Sequence, residues 1–124
     1  MGRLTGDLKE RTLGFGRLAM DALRELPNEP RGWIVAKQLG RAASSIGANV
    51  WEADAAISEA DFAHKISIAR KESSETQYWL ELAKMCELLP LQTCETLTQK
   101  NDELLRILGT IVRKTQEHMK RKRG

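Results

Sequence analysis

What most constrains this chain is how rarely it is interrupted. Its 124 residues contain three prolines, at positions 27, 30 and 90, and between them apolar residues return every three or four positions. That period lines up side chains on one face of an α-helix, whereas a half-buried strand would alternate every second residue. Leu, Ala, Glu, Lys and Arg, all good helix formers, dominate the composition. The spacing predicts helices over about 5–26, 30–55, 59–88 and 92–118, with a basic tail at 119–124.

In the first helix Leu8, Phe15, Leu18, Ala22 and Leu26 share a face, and Gly6, Gly14 and Gly16 weaken its start. Asn28 is positioned to cap the second helix, and Ser58 followed by Asp61 resembles a capping box opening the third. The fourth carries the stripe Leu97, Leu104, Ile107 or Leu108, and Ile111. Short connections between long helices predict an all-α fold, an antiparallel up-down four-helix bundle. A chain of this length suffices for one domain and its core.

The stretch QLGRAASSIGANVWEA, from Gln38 to Ala53, looks at first like a glycine-rich loop. It lacks the flanking strand and the Gly-Lys pair of a phosphate loop, and it resolves into three helical stripes. Val35, Leu39, Ala42, Ile46, Asn49 and Ala53 form a core seam, with polar Asn49 in its midst. Gln38, Arg41, Ser45, Ala48 and Glu52 lie beside it. Ala36, Gly40, Ala43 or Ser44, Gly47 and Trp51 make a small-residue stripe that lets another helix come close. A helical glycine costs about 1 kcal/mol relative to alanine, so Gly40 and Gly47 imply compensating close packing. In the third helix the seam is Phe62, Ile66, Ala69, Ser73, Thr76, Leu80 and Ala83, next to Lys65, Glu72, Glu75, Trp79 and Cys86. With antiparallel helices, Asn49 and Arg41 are expected to meet Ser73, Glu72 or Glu75. The result is a structural polar network of Arg41, Ser45, Asn49, Glu52, Lys65, Glu72 and Glu75 that fixes register.

Catalytic patterns are weak. Glu52, Asp54, Glu59, Asp61 and His64 would suit a metal-dependent nuclease, but their spacing is irregular and capping explains them better. Glu72 and Glu75 lack the histidine of a di-iron bundle, and Ser44 and Ser45 lack a nucleophile's context. No catalytic residue, metal, cofactor or small-molecule substrate is therefore expected. Trp33, Trp51 and Trp79 fit packing better than base stacking. Cys86 and Cys94 form no CxxC pair, no apolar run approaches the roughly 20 residues of a membrane span, and the N-terminus lacks a secretory core. A cytoplasmic, non-membrane protein with reduced thiols is expected.

The net charge of +3 is unevenly spread: residues 113–124 carry six Lys/Arg against one Glu. Arg113, Lys114, Lys120, Arg121, Lys122 and Arg123 are the candidate nucleic-acid contacts, since such a tail attracts polyanions. The same charges also complement a helix C-terminus, and His118 among them reads as solvated.

Residues 38–82 also carry a recognisable pattern: Gln38, Leu39, Arg41, Ser45, Ile46, Gly47, Ala48, Asn49, Glu52 and Ala53, then Asp61, Phe62, Lys65, Ile68, Ala69, Lys71, Glu72, Glu75, Tyr78, Trp79 and Leu80. This resembles the small four-helix bundle family that includes proteins encoded in intervening sequences of bacterial 23S ribosomal RNA genes. The same family includes the accessory variability proteins of diversity-generating retroelements. Some branches have Pro at the position of Gly47 and Gly at that of Ala53; this chain is similar to the branch with SIGAN and EA. The resemblance implies a ring-like homo-oligomer, typically a pentamer, with Gly40, Gly47, Trp51 and Trp79 as assembly or close-packing residues. It also implies a non-enzymatic adaptor that binds RNA or DNA, with a reverse transcriptase as a partner in the retroelement members. A protein-interaction scaffold without nucleic acid is the alternative.

Overall fold

The computed structural model describes residues 6–123, so the expected first turn at residue 5 and the terminal Gly124 lie outside the described residues. Four helices, α1 (Gly6–Ala22), α2 (Pro30–Asp54), α3 (Glu59–Met85) and α4 (Leu91–Arg123), make one all-α domain, with no strand among the described residues. A single 3-10 turn, Leu23–Glu25, follows α1, so the first helix stops earlier than its apolar pattern suggests.

The connections explain the breaks. Pro30 occupies the first turn of α2, where its missing N–H costs nothing. The cap there is Glu29, whose carboxylate accepts from Gly32 N at 3.3 Å. Asn28, the expected cap, instead accepts from Trp33 Nε1 at 2.8 Å. Gly32 is obligatory: a Cβ at that position would sit 1.9 Å from the Pro27 carbonyl oxygen. At α3, Ser58 caps as expected, its hydroxyl accepting from Asp61 N at 3.0 Å, while Asp61 accepts from Ile57 N at 3.3 Å. Helix α3 ends in a Schellman motif, with Leu88 N donating to Ala83 O at 2.8 Å and Glu87 N to Lys84 O at 3.1 Å. Glu87 takes the left-handed position at φ 55°, which glycine usually fills.

Contacts between neighbouring helices pair low numbers with high ones. Against α2, Thr12 of α1 meets Gly47 and Leu23 of the following turn meets Gly40; on α2 and α3, Arg41 meets Glu72 and Glu52 meets Lys65. On α3 and α4, Ser73 meets Asn101 and Glu59 meets His118. Arg11 on α1 approaches Glu103 on α4 at 3.8 Å, closing the circuit.

Every residue of the α3 seam, from Phe62 to Ala83, is buried. So is the α2 seam except Asn49, which is half-buried. In α1 the buried line is Leu8, Thr12, Phe15, Ala19 and Ala22, while Leu18 stays 39% exposed and Leu26 is half-buried. In α4 the buried line is Cys94, Leu97, Asn101, Leu104, Leu108 and Val112, with Ile107 and Ile111 only half-buried beside it. Burial pushes the Cys94 thiol pKa above its usual value.

Asn101 is the fully buried polar side chain at the centre of α4. Its amide donates to Ser73 O at 3.0 Å and to Gln77 Oε1 at 3.3 Å, and its oxygen accepts from Ser73 Oγ at 2.7 Å. Removing such a group strands its partners without water. Asn101→Ala is therefore expected to cost about 2–3 kcal/mol, read as a lower midpoint in urea unfolding with an unchanged slope.

Candidate functional site

Two sets of charged side chains hold the residues singled out in the sequence. The first joins α2 to α3. Arg41 donates through Nη1 to Glu72 Oε2 at 2.9 Å and through Nη2 to Glu75, which also accepts from Trp79 Nε1 at 3.2 Å. Glu72 is buried, and the guanidinium is the cation that offsets the desolvation of its carboxylate. Lys65 and Glu52 form a separate pair at 2.9 Å, in which the carboxylate raises the lysine pKa above its ordinary value.

Ser45 and Asn49 take no part across the helix interface. Ser45 Oγ donates to Arg41 O at 2.7 Å, and Asn49 Nδ2 to Ser45 O at 2.8 Å, both within α2. The expectation that Asn49 would bridge to α3 is thus corrected. It sits at the margin of the seam, where a bond within its own helix is sufficient, and Ser73 turns instead to Asn101 on α4. Asn101 escaped the sequence reading because it lies in the polar run QKND; its place midway between Leu97 and Leu104 was the available signal.

The small stripe of α2 receives α1 of the same chain. A methyl at Gly47 would touch the Thr12 backbone at 3.4 Å, and one at Gly40 would press on Leu23 at 3.2 Å. Trp51 donates to Lys9 O at 3.2 Å, with the Lys9 ammonium 4.5 Å from the ring centroid. Trp79 is half-buried against the core, edge-on to Tyr78.

The acidic residues considered for metal have separate partners: Glu52 with Lys65, Asp54 with Lys9, Glu59 with His118, and Asp61 at the α3 cap. Among the described residues no three His, Cys, Asp or Glu side chains gather to hold a metal ion.

The second charged set is the end of α4. The helix continues through Arg123, five residues beyond its expected end, so Lys120, Arg121, Lys122 and Arg123 form an exposed helical surface. Their charges complement the unpaired carbonyls of the last turn. Arg113, Lys114, Lys120, Arg121 and Arg123 have no ion-pair partner among the described residues. Far from being free in solvent, His118 Nδ1 lies 2.6 Å from Glu59 Oε1, and Lys122 Nζ lies 3.6 Å from Glu59 Oε2. One carboxylate at the start of α3 therefore clasps the end of α4.

The profile of the 23S rRNA-intervening sequence protein family matches residues 10–110, most of the bundle. The chain belongs to this family. A crystal structure of a protein of unknown function from the S23 ribosomal protein family of Bacteroides thetaiotaomicron is 36% identical, with a TM-score of 0.79. That likeness covers 85% of this chain and 97% of the other. A comparison with functionally curated proteins found no match. The family match stops at residue 110, short of the basic end of α4. Among the described residues no helix is long and apolar enough to cross a membrane.

The hydrogen bond from His118 and the nearby Lys122 charge hold the Glu59 carboxyl below its ordinary value of 4.5, against the opposing effect of burial. A lowered acid pKa favours the clasped state above the ordinary value, and that preference disappears as pH falls through the lowered one. Glu59→Gln is expected to lower the amide protection, relative to the intrinsic exchange rate at the same pH, over residues 114–123 at neutral pH, and acidification of the wild type through the lowered Glu59 pKa should lower that protection likewise.

Proposed function

We propose that this protein is a non-enzymatic adaptor: an antiparallel up-down bundle that closes into a ring-like homo-oligomer, a pentamer, and offers a basic rim to RNA or DNA. The observation that carries it is the helical, exposed array of cations from Arg113 to Arg123, most of them unpaired among the described residues. Repetition around a ring multiplies that array, and each phosphate neutralised releases counterions. A reverse transcriptase is the protein partner that the family resemblance supplies, and the cytoplasm the compartment.

The antiparallel arrangement is supported by the low-to-high pairing of contacts between α2 and α1, α2 and α3, and α3 and α4. Assembly is supported by a groove of about 1060 Å³ between α1 and α2. Leu13, Met20 and Trp51 line it at 61%, 56% and 46% exposure. Gly14 and Gly16 also line it, and a Cβ on either would meet nothing within 4 Å. Helical glycines without an intrachain reason fit a surface that a second copy approaches. Glu10 at one end of the groove and Arg17 and Lys37 farther along give a copy opposite charges to pair. The same groove favours the second reading, a scaffold that docks proteins and binds no nucleic acid.

Two measurements test these claims. The purified protein should retard structured RNA or DNA in a salt-sensitive manner, and deletion of 119–124 should weaken that binding; no shift at low salt would end the nucleic-acid reading. Light scattering should give a multiple of the 14.0 kDa chain, and Leu13→Glu should reduce it to the monomer while leaving the helical circular dichroism intact. A wild type that is monomeric at micromolar concentration refutes the ring.

A further inference from the structure

A second basic feature lies away from the end of α4, in the groove between α3 and α4. It encloses about 590 Å³ and is lined by Arg70 from α3 and by Arg106, Gly109, Thr110, Arg113 and Gln116 from α4. Arg70 lies across Gly109: a methyl there would touch its Nε at 3.7 Å and its Cζ at 3.9 Å. Arg70 and Arg113 have no ion-pair partner among the described residues, whereas Arg106 is held by Asp102 at 2.8 Å.

We propose that this groove is a phosphate-binding site, gripping one phosphate of a bound nucleic acid between Arg70 and Arg113. A guanidinium presents paired N–H donors that match phosphate oxygens, and Thr110 and Gln116 add neutral donors in the same groove. Long arginines are costly to order; laying Arg70 along the glycine face of α4 orders it before the ligand arrives. The surroundings favour a polyanion over an isolated carboxylate. Arg106, Arg113 and Lys120 recur at intervals of seven residues, which puts them on one face of α4 about 10 Å apart. A chain of phosphates lying along α4 would pass from this groove to the basic end. Glu117 interrupts the face and Asp102 occupies Arg106, so the binding falls to Arg70 and Arg113.

The nucleic-acid source of the phosphate rests on the function proposed above; the phosphate site itself does not. The test uses the full chain with a fluorescently labelled RNA hairpin, and separately with inorganic phosphate monitored at the Arg70 Nε–H by NMR. Arg70→Gln/Arg113→Gln should weaken RNA binding at least tenfold and reduce the slope of log K against log salt by about 0.8, the loss of one phosphate contact. Gly109→Glu, which places a carboxylate against Arg70 while improving helix propensity, should do the same with unchanged circular dichroism. RNA binding that is lost on deleting 119–124 but unaffected by either groove variant overturns the site and leaves the nucleic-acid reading standing. If the wild type binds no RNA, a phosphate-dependent Arg70 Nε–H shift abolished by Gly109→Glu keeps the site, with free phosphate as the source; no shift overturns it. Equal loss of binding to labelled poly-glutamate and RNA in the groove variants overturns the phosphate assignment in favour of a general anion surface.

Discussion

The position of α4 along α3 depends on one buried amide. Asn101 is fully enclosed, and its donors and acceptor are met only where Ser73 and Gln77 stand opposite. A slide of one helical turn, about 5.4 Å, would break the paired contacts between the amide and Ser73, at a cost of a few kcal/mol. Leu97, Leu104 and Leu108 have no such preference; leucines repack across a register shift at modest loss. The polar contact therefore selects one register from several of similar apolar burial. Two distant features follow from it: Glu59 falls level with His118, and Arg70 comes to lie over Gly109.

The α2–α3 interface uses a different device for the same end. Arg41 meets Glu72 and Glu75 at the margin of the core, where Glu72 is buried but the guanidinium still reaches water. A half-exposed pair avoids much of the desolvation that makes fully buried ion pairs unprofitable, yet it remains directional. Between α1 and α2 the contact is steric, with the Thr12 backbone seated on Gly47. The two helices can approach closely there because neither carries a large side chain. Farther along α1, Gly14 and Gly16 make no such intrachain contact, although they line the same open groove as Gly40 and Gly47.

These differences explain what could be read from the sequence. The α3 seam was fully legible because its residues repeat at strict 4-3 spacing and every one of them is buried. The Arg41–Glu72 contact was legible because a long charged side chain reaches across a helix interface despite small errors of rotation. Asn49 was misplaced because a short amide has no such reach. A rotation that leaves its Cβ at the seam's edge decides whether it bridges helices or bonds within its own. The cap at Glu29 and the need for Gly32 were hidden for another reason: both depend on where the Pro27 carbonyl points, a backbone orientation that no side-chain period encodes. Of the candidate nucleic-acid surface, the charge of residues 113–123 was visible, whereas Arg70 enters from another helix and stands in a mixed run with Lys71 and Glu72, far in sequence from that cluster.

The continuity of α4 to Arg123 also bears on how that surface can act. A disordered basic tail would gain attraction for a polyanion but lose part of it in ordering long side chains and backbone, roughly 1–2 kcal/mol for each residue fixed. Here the backbone is already helical, held partly by the favourable interaction of Lys120–Arg123 with the helix C-terminus. Glu59 adds an anchor from α3 at the level of His118 and Lys122. The ordering needed for recognition is thus largely accomplished by folding, so the free energy of phosphate contact is available for binding. The anchor has an electrostatic cost, since Glu59 neutralises part of the charge it positions. Its location limits that cost: it faces His118 and Lys122, and leaves Lys120, Arg121 and Arg123 without a partner among the described residues.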